Sequence, residues 1–257
     1  MQVKEIVEVL DAQIPNRHAL SWDNVGLLVG SEDWEVRRIY VALDATDEVI
    51  AHAVEWQADL IVTHHPMIFS GMKQVVASDF IGRKILTLAE HHIAVYAMHT
   101  NFDIHGMGDL ADERLGLTHT EPLEICTEDG LGIGSIGDLD QTYTLQDYAK
   151  HVKTCFGLSS VKVFGNADTK LHRVAMVPGS GKSDIDTAIA QGADAMITGD
   201  VDHHAGIDAV DKGICVIDAG HYGIEHVFIS YMAQHLQSLW KDIAVKEEPK
   251  KEPFYVV

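Results

Sequence analysis

Six short apolar runs constrain this chain more than any other feature. Ile39-Tyr40-Val41-Ala42-Leu43, Leu60-Ile61-Val62-Thr63, Ile93 to Met98, Val174 to Val177, Ala195 to Thr198 and Ile214 to Ile217 are each too short for a helix. They read as buried strands. Helical patterns alternate with them: Thr46 to Gln57, with Thr46 as N-cap ahead of Asp47 and Glu48; Phe80 to His91; and Ser183 to Gln191, capped by Ser183. Alternating strand and helix predict an α/β protein. The 257 residues are enough for one large or two modest domains.

The plan runs twice. Ala58-Asp59-Leu60-Ile61-Val62-Thr63 matches Ala193-Asp194-Ala195-Met196-Ile197-Thr198, and His99-Thr100-Asn101-Phe102-Asp103 matches His221-Tyr222-Gly223-Ile224-Glu225. Two similar α/β units are expected, residues 1–125 and 126–257, with the Gly-rich stretch Gly130 to Gly137 at the boundary and a site between them. The charged, proline-bearing Val245 to Pro253 is expected to be loosely ordered, as part of a tail over 245–257.

The chemistry starts at His64-His65, which follow Leu60-Ile61-Val62-Thr63 and precede Pro66. Pro66 stops the strand, so two imidazoles arrive at its carboxyl end, where α/β sheets place ligands. Adjacent side chains on extended backbone point apart, which favours one ion each in a two-metal site over joint chelation of one ion. His221 and Glu225 follow Gly220 and open a helical pattern running to about Trp240, so they share one helix face. Asp103 stands four residues after His99 in an analogous turn. Three histidines and two carboxylates suit Zn, Mn or Fe better than Ca or Mg, and the absence of nearby cysteine argues against a structural zinc site. Such a set supports hydrolysis by a metal-activated water, with His99, His203 or His204 as candidate acid or base. His91-His92 read as histidines complementing a helix C-terminus. Asp200 reads as a residue behind the site or facing substrate, and Trp22 to Gly30 as a strand-initiating turn, from which Asp23 or Asn24 could reach the site from behind.

Other classes are excluded or disfavoured. A formal net charge of −20 argues against nucleic acid as main partner. Cys126, Cys155 and Cys215 show no CxxC spacing, which fits a reducing compartment, and no apolar stretch approaches ~20 residues, so a cytoplasmic protein is expected. Pro178-Gly179-Ser180-Gly181-Lys182-Ser183 fails the phosphate-loop spacing of nucleoside triphosphatases, and no GxSxG elbow occurs.

Taken together, Ser21-Trp22-Asp23-Asn24-Val25-Gly26-Leu27, Thr63-His64-His65-Pro66, His99 to Asp103, Gly179-Ser180-Gly181, Thr198-Gly199-Asp200 and Gly220 to Glu225 resemble the YbgI-like, Ngg-one-interacting-factor-three-like family. Its members often carry the label "GTP cyclohydrolase I type 2 homologue". The resemblance spans almost the whole chain, in the short form without an inserted middle domain. It implies two similar intertwined three-layer α/β/α domains with mixed sheets and a toroidal homohexamer. It also implies two divalent ions per chain, Zn, Fe or Mn, held by His64, His65, Asp103, His221 and Glu225, with Asp103 and Glu225 as bridges. His99 and Thr100 would line the site. Asp200 stands where the family commonly has Glu. A metal-dependent hydrolase of a small molecule such as a nucleotide is the leading expectation. A metal-handling or regulatory protein, or a scaffold clipped by metal, needs the same five ligands.

Overall fold

The computed structural model describes all 257 residues. The chain forms two compact units: Met1–Phe102 with Phe228–Lys250 (unit 1), and Asp103–Val227 with Lys251–Val257 (unit 2). Unit 1 begins with α1 (Val3–Gln13), β1 (Gly26–Val29), β2 (Arg38–Ala42), α2 (Asp47–Glu55), β3 (Leu60–Thr63), α3 (Phe80–Glu90), β4 (Ala94–Ala97) and the short α4 (Thr100–Phe102). Unit 2 opens on a π-helical turn, Asp103–Met107. It continues with α5 (Gly108–Leu115), β5 (Thr118–Ile125), β6 (Gly132–Thr144), α6 (Leu145–Cys155), β7 (Lys162–Phe164), β8 (Lys170–Met176), α7 (Ile185–Ala190), β9 (Ala195–Thr198), α8 (His203–Asp211), β10 (Cys215–Asp218) and α9 (His221–Glu225). The chain then returns to unit 1 through α10 (Val227–Leu239) and β11 (Ala244–Glu247).

Both sheets are mixed. Unit 1 has the order β1-β4-β3-β2-β11, with only β1 antiparallel. Unit 2 has the order β5-β6-β8-β9-β10-β7, parallel across β8, β9 and β10 and antiparallel outside them. In unit 1, Tyr40, Ala42, Ile61 and Val95 join α2 and α3 in one apolar cluster. The alternate residues Ile39, Val41, Leu60, Val62 and Tyr96 are equally buried, and the Tyr96 hydroxyl reaches Asn16, just past α1. Strands covered on both faces have no polar side to show, which is why they appear in the sequence as unbroken apolar runs.

The duplication is visible in the strand registers. Ile39 pairs with Leu60 and Leu60 with Ala94; Val174 pairs with Ala195 and Ala195 with Cys215. The aspartate ahead of each middle strand does the same work twice. Asp59 Oδ2 accepts from the amides of Arg37 and Arg38, and Asp194 Oδ2 from those of His172 and Arg173. The matched helical turns are offset, however. The register sets His99 against Gly220 and Thr100 against His221, one residue away from the alignment read in the sequence.

Five expectations change. The break falls at Phe102/Asp103 and not near residue 125, because β5 pairs with β6 inside the second sheet. Gly130 to Gly137 is therefore no linker: it lies in the β5–β6 hairpin and strand, where a Cβ on Gly132 would sit 1.9 Å from the Glu124 carbonyl. The tail is tied down at its start, where β11 pairs with β2 and Glu248 accepts from Tyr40 Oη and meets His52 Nδ1, and carries no helix or strand from 248 to 257. Ser183 falls within a 3-10 turn and Asp184 takes the cap position of α7, while the last helical stretch is divided at His226 into α9 and α10. No helix is long and apolar enough to cross a membrane, and all three cysteines are free thiols.

Candidate metal centre

In unit 1, β3 ends at Thr63, whose hydroxyl donates back to the His65 carbonyl at 2.9 Å. The resulting bend turns both imidazoles inward instead of apart. The His64 and His65 ring centroids are 5.0 Å apart, and His99, arriving after β4, lies 5.2 Å from the first and 5.5 Å from the second. One nitrogen from each of the three lies within 4.8 Å of the others, so the bend past the strand end brings the neighbouring histidines together.

Each of these rings is steered from behind. His64 Nδ1 is 2.8 Å from the Met98 carbonyl, His65 Nδ1 2.8 Å from Asp44 Oδ1, and His99 Nδ1 2.9 Å from Asp23 Oδ1. An oxygen acceptor at Nδ1 selects the Nδ1–H tautomer and makes Nε2 the lone-pair donor, the arrangement that metal-ligating histidines use. The Asp23 carboxylate is fully enclosed and takes two further bonds, from the Thr100 amide at 3.0 Å and the Thr100 hydroxyl. Burial alone pushes its pKa up, but His99 and Thr100 outweigh that and hold it at about 2. Thr100 is buried in this network, and its Oγ1 also accepts from the Leu20 amide.

Unit 2 builds its pair on α9. Gly220, at φ 77°, turns the chain so that His221 opens the helix and Glu225 follows one turn later, with His221 Nε2 3.0 Å from Glu225 Oε2. His221 Nδ1 is 2.8 Å from Asp200 Oδ2. If Nδ1 keeps its proton, Nε2 presents a lone pair to a buried carboxylate, a contact that requires a proton or a cation between them. Asp200 holds a left-handed backbone, φ 56°, which Asp tolerates better than most residues and which brings its carboxylate to His221. Two glycines let the backbone approach. A Cβ on Gly199 would stand 2.3 Å from the His221 nitrogen, and one on Gly179 would stand 2.6 Å from Glu225 Oε1.

Three predicted residues remain: Asp103, His203 and His204. Asp103 is buried at the start of the π-helical turn and lines a cleft of unit 2 with His105, Asp109, Asp112 and Ser135. Burial raises Asp112 to about 6, against the Ser135 hydroxyl that lowers it and with the charge of Asp109 adding to the rise. His203 and His204 are exposed in the first turn of α8, capped by Asp202, and belong to no candidate ligand group. His91 caps α3, and His92 follows with φ 56° beside Trp34. Asp23 and Asp44 are the residues sequence reasoning undervalued. Asp23 stands in a stretch read first as a turn and only second as a source of a group reaching the site, and Asp44 directly follows a strand, the one local signal that pointed to it.

The three-histidine group and the His221–Glu225 pair fit a divalent metal: imidazole and carboxylate donors, steered through Nδ1, on strand ends and a helix start. Comparison with known proteins agrees on the family. A "GTP cyclohydrolase 1 type 2 homolog" of Streptococcus pneumoniae is 36% identical over 248 residues, covering 94% of this chain and 92% of its own. The solved structure of the Staphylococcus aureus hypothetical protein SA1388 superposes with a TM-score of 0.92 at 30% identity, over 100% of this chain and 99% of that one. Protein ybgI shares the fold, with a TM-score of 0.87 at 23% identity over 99% of this chain and 100% of its own. The sequence profile of Duf34/NIF3 (NGG1p interacting factor 3) matches residues 1–252, and the chain belongs to that family.

Proposed function

We propose that this chain is a divalent-metal-dependent hydrolase of a small nucleotide-like substrate, with two ions held by His64, His65, Asp103, His221 and Glu225. The observation that carries the reading is the common treatment of the histidines. His64, His65, His99 and His221 each meet an oxygen acceptor through Nδ1, three of them a carboxylate. His52 and His226 meet oxygens through Nδ1 as well; what sets these four apart is that His64, His65 and His99 also bring ring nitrogens within 4.8 Å of one another and that His221 Nε2 meets the buried Glu225. Bound divalent ions would bring a water's pKa near neutrality and polarise the bond under attack.

The chain's own residues supply the rest. Asp44 and Asp200 orient ligand rings and raise their basicity. Asp23, held ionised, holds the His99 ring through Nδ1 and leaves its Nε2 facing the site, which places that side chain to accept a proton from water and return it to a leaving group. His203 and His204 are the second half's candidates for that transfer. The name borne by the relatives supports attack at a ring carbon of a purine nucleotide; the same chemistry serves a phosphoester. The toroidal homohexamer and the cytoplasmic setting belong to this proposal.

The test is metal content on protein purified without chelator or nickel resin, followed by a turnover screen with each metal found. About two ions per chain and hydrolysis of GTP or a phosphoester are expected, with Glu225→Ala losing both while keeping its fold. Full metal content in Glu225→Ala sinks the ligand assignment. Two ions without turnover on a broad nucleotide panel move the reading to metal handling.

A further inference from the structure

Two large aromatic rings stand exposed beside the histidine cluster of unit 1. Trp22 is 55% and Phe69 58% exposed, and their centroids are 5.9 Å apart at an interplanar angle of 45°. Trp22 also meets the His99 ring edge-on, 5.9 Å between centroids. An isolated exposed aromatic needs no explanation. A pair of them beside a cluster of potential ligands does.

Both rings ride on backbone that is fastened down. Trp22 lies between Leu20 and Asp23. The Leu20 amide donates to Thr100 Oγ1, and the Asp23 carboxylate takes the bonds from His99 and Thr100. Phe69 follows Met67 and Ile68, which pack into the unit 1 core, and the Ile68 carbonyl accepts from Asn24 Nδ2 at 2.6 Å. The two loops are thus tied to each other, and the one carrying Trp22 is tied to His99 through Asp23. The connection fixes where an aromatic face stands relative to an imidazole, and its Asp23–Thr100 end is made of buried polar groups that a plain surface turn does not need.

We infer that Trp22 and Phe69 form a stacking subsite for a planar heteroaromatic ring, so that the substrate of the proposed hydrolase is recognised by its base and not by its phosphate. This rests on the hydrolase reading for its chemistry but not for its binding. An aromatic pair offers π-faces, which any flat ring can use. It offers nothing to a phosphate, and no Lys or Arg occurs among residues 18–30 or 60–70 to supply a charge. The excess of acid over base in the whole chain points the same way. A ring stacked on Trp22 rests on the side chain that also meets His99, which favours attack at a ring carbon over attack at phosphorus.

The experiment is calorimetric binding of two probes to the metal-loaded protein: guanosine, a base without phosphate, and ribose 5-phosphate, a phosphate without base. Guanosine is expected to bind and ribose 5-phosphate to bind at least about tenfold more weakly, in keeping with stacking energies. Trp22→Leu and Phe69→Leu should each weaken guanosine on the order of 5- to 150-fold, with Trp22→Phe recovering most of the loss and metal content unchanged in all three. Guanosine binding within twofold of wild type in Trp22→Leu overturns the inference. So does failure of guanosine to bind wild type, or equal binding of the two probes. A shift in sedimentation of Trp22→Leu without loss of guanosine assigns the rings to contact between copies and also overturns it. A chain that binds guanosine through Trp22 yet holds no metal keeps this inference and fails the hydrolase reading. Metal-dependent turnover with kcat/KM untouched by Trp22→Leu does the reverse.

Discussion

The two units run matching strand orders through their centres, β1-β4-β3-β2 and β7-β10-β9-β8, and place different residues at the same strand end. By register, His64 corresponds to Gly199, His65 to Asp200 and Asp44 to Gly179. In unit 1 that corner is filled by imidazoles and by the carboxylate that steers one of them. In unit 2 it is filled by backbone: the Gly179 turn and the start of α9 close over Gly199 with no room for a side chain. The carboxylate steering the third-strand histidine has also changed its source, from Asp23 ahead of β1 to Asp200 after the middle strand. What is common to the copies is the frame of strands and the Asp59/Asp194 clamp. The donor sets are solved separately, one by packing rings and the other by packing glycines.

The largest effect should come from forcing one solution onto the other. Gly199→His, which copies His64 into unit 2, drives a side chain into the His221 amide. It should destabilise unit 2 by about 4 kcal/mol or more, seen as a large drop in the urea midpoint; an unchanged midpoint would break the comparison. Next come the enclosed carboxylates. Asp23→Asn weakens three charge-assisted bonds and should cost about 2–4 kcal/mol, whereas Asp200→Asn, at an exposed side chain, should cost under about 1 kcal/mol and show instead as weaker metal retention.

The pH dependence of the two units should have opposite sign. Asp23, held at about 2, adds stability above its unfolded pKa near 4 and loses it as pH falls toward 2. Asp112, raised to about 6, withdraws stability as pH rises from about 4 to 6, because the folded state there holds a proton that the unfolded chain has released. Asp112→Asn should therefore gain up to about 3 kcal/mol at pH 7 and flatten the curve between pH 4 and 6; a loss at pH 7 would sink this account. The smallest effect is the internal control. Thr46 caps α2 and Thr144 caps α6 with the same 3.1 Å bond. Alanine at either should cost about 1 kcal/mol, and a clear difference between them would mean that the units transmit local damage differently.

The central strands were readable because both faces are buried and the apolar signal is unbroken. His64-His65 was readable because a strand end and a proline frame it. Legibility ended where apolar pattern no longer carries the information. β11, Ala-Val-Lys-Glu, is a charged edge strand, the usual guise of an edge that must not recruit neighbours, and so it resembles a tail. β5 and β6 form a hairpin whose glycines are dictated by a close backbone approach and not by flexibility. Asp23 reaches His99 across 76 residues, and no local pattern announces such a bond. The one-residue offset between His99 and His221 is invisible in an alignment, since both stand four before an acid.

The seat of β11 beside β2 has a consequence for how the chain is made. Residues 103–227 of unit 2 are contiguous, so its sheet has all its strands once that stretch has left the ribosome. Unit 1 is begun first but lacks α10 and its edge strand until residues 227–247 have been synthesised, and the anchoring of Glu248 to Tyr40 comes later still. The usual order, in which the first-made domain folds first, is inverted here. The half-built unit 1, with the aspartates and histidines of its cluster already present, must wait with an open β2 edge while unit 2 folds. A released chain truncated near residue 230 should accordingly resist protease over its second unit and not over its first.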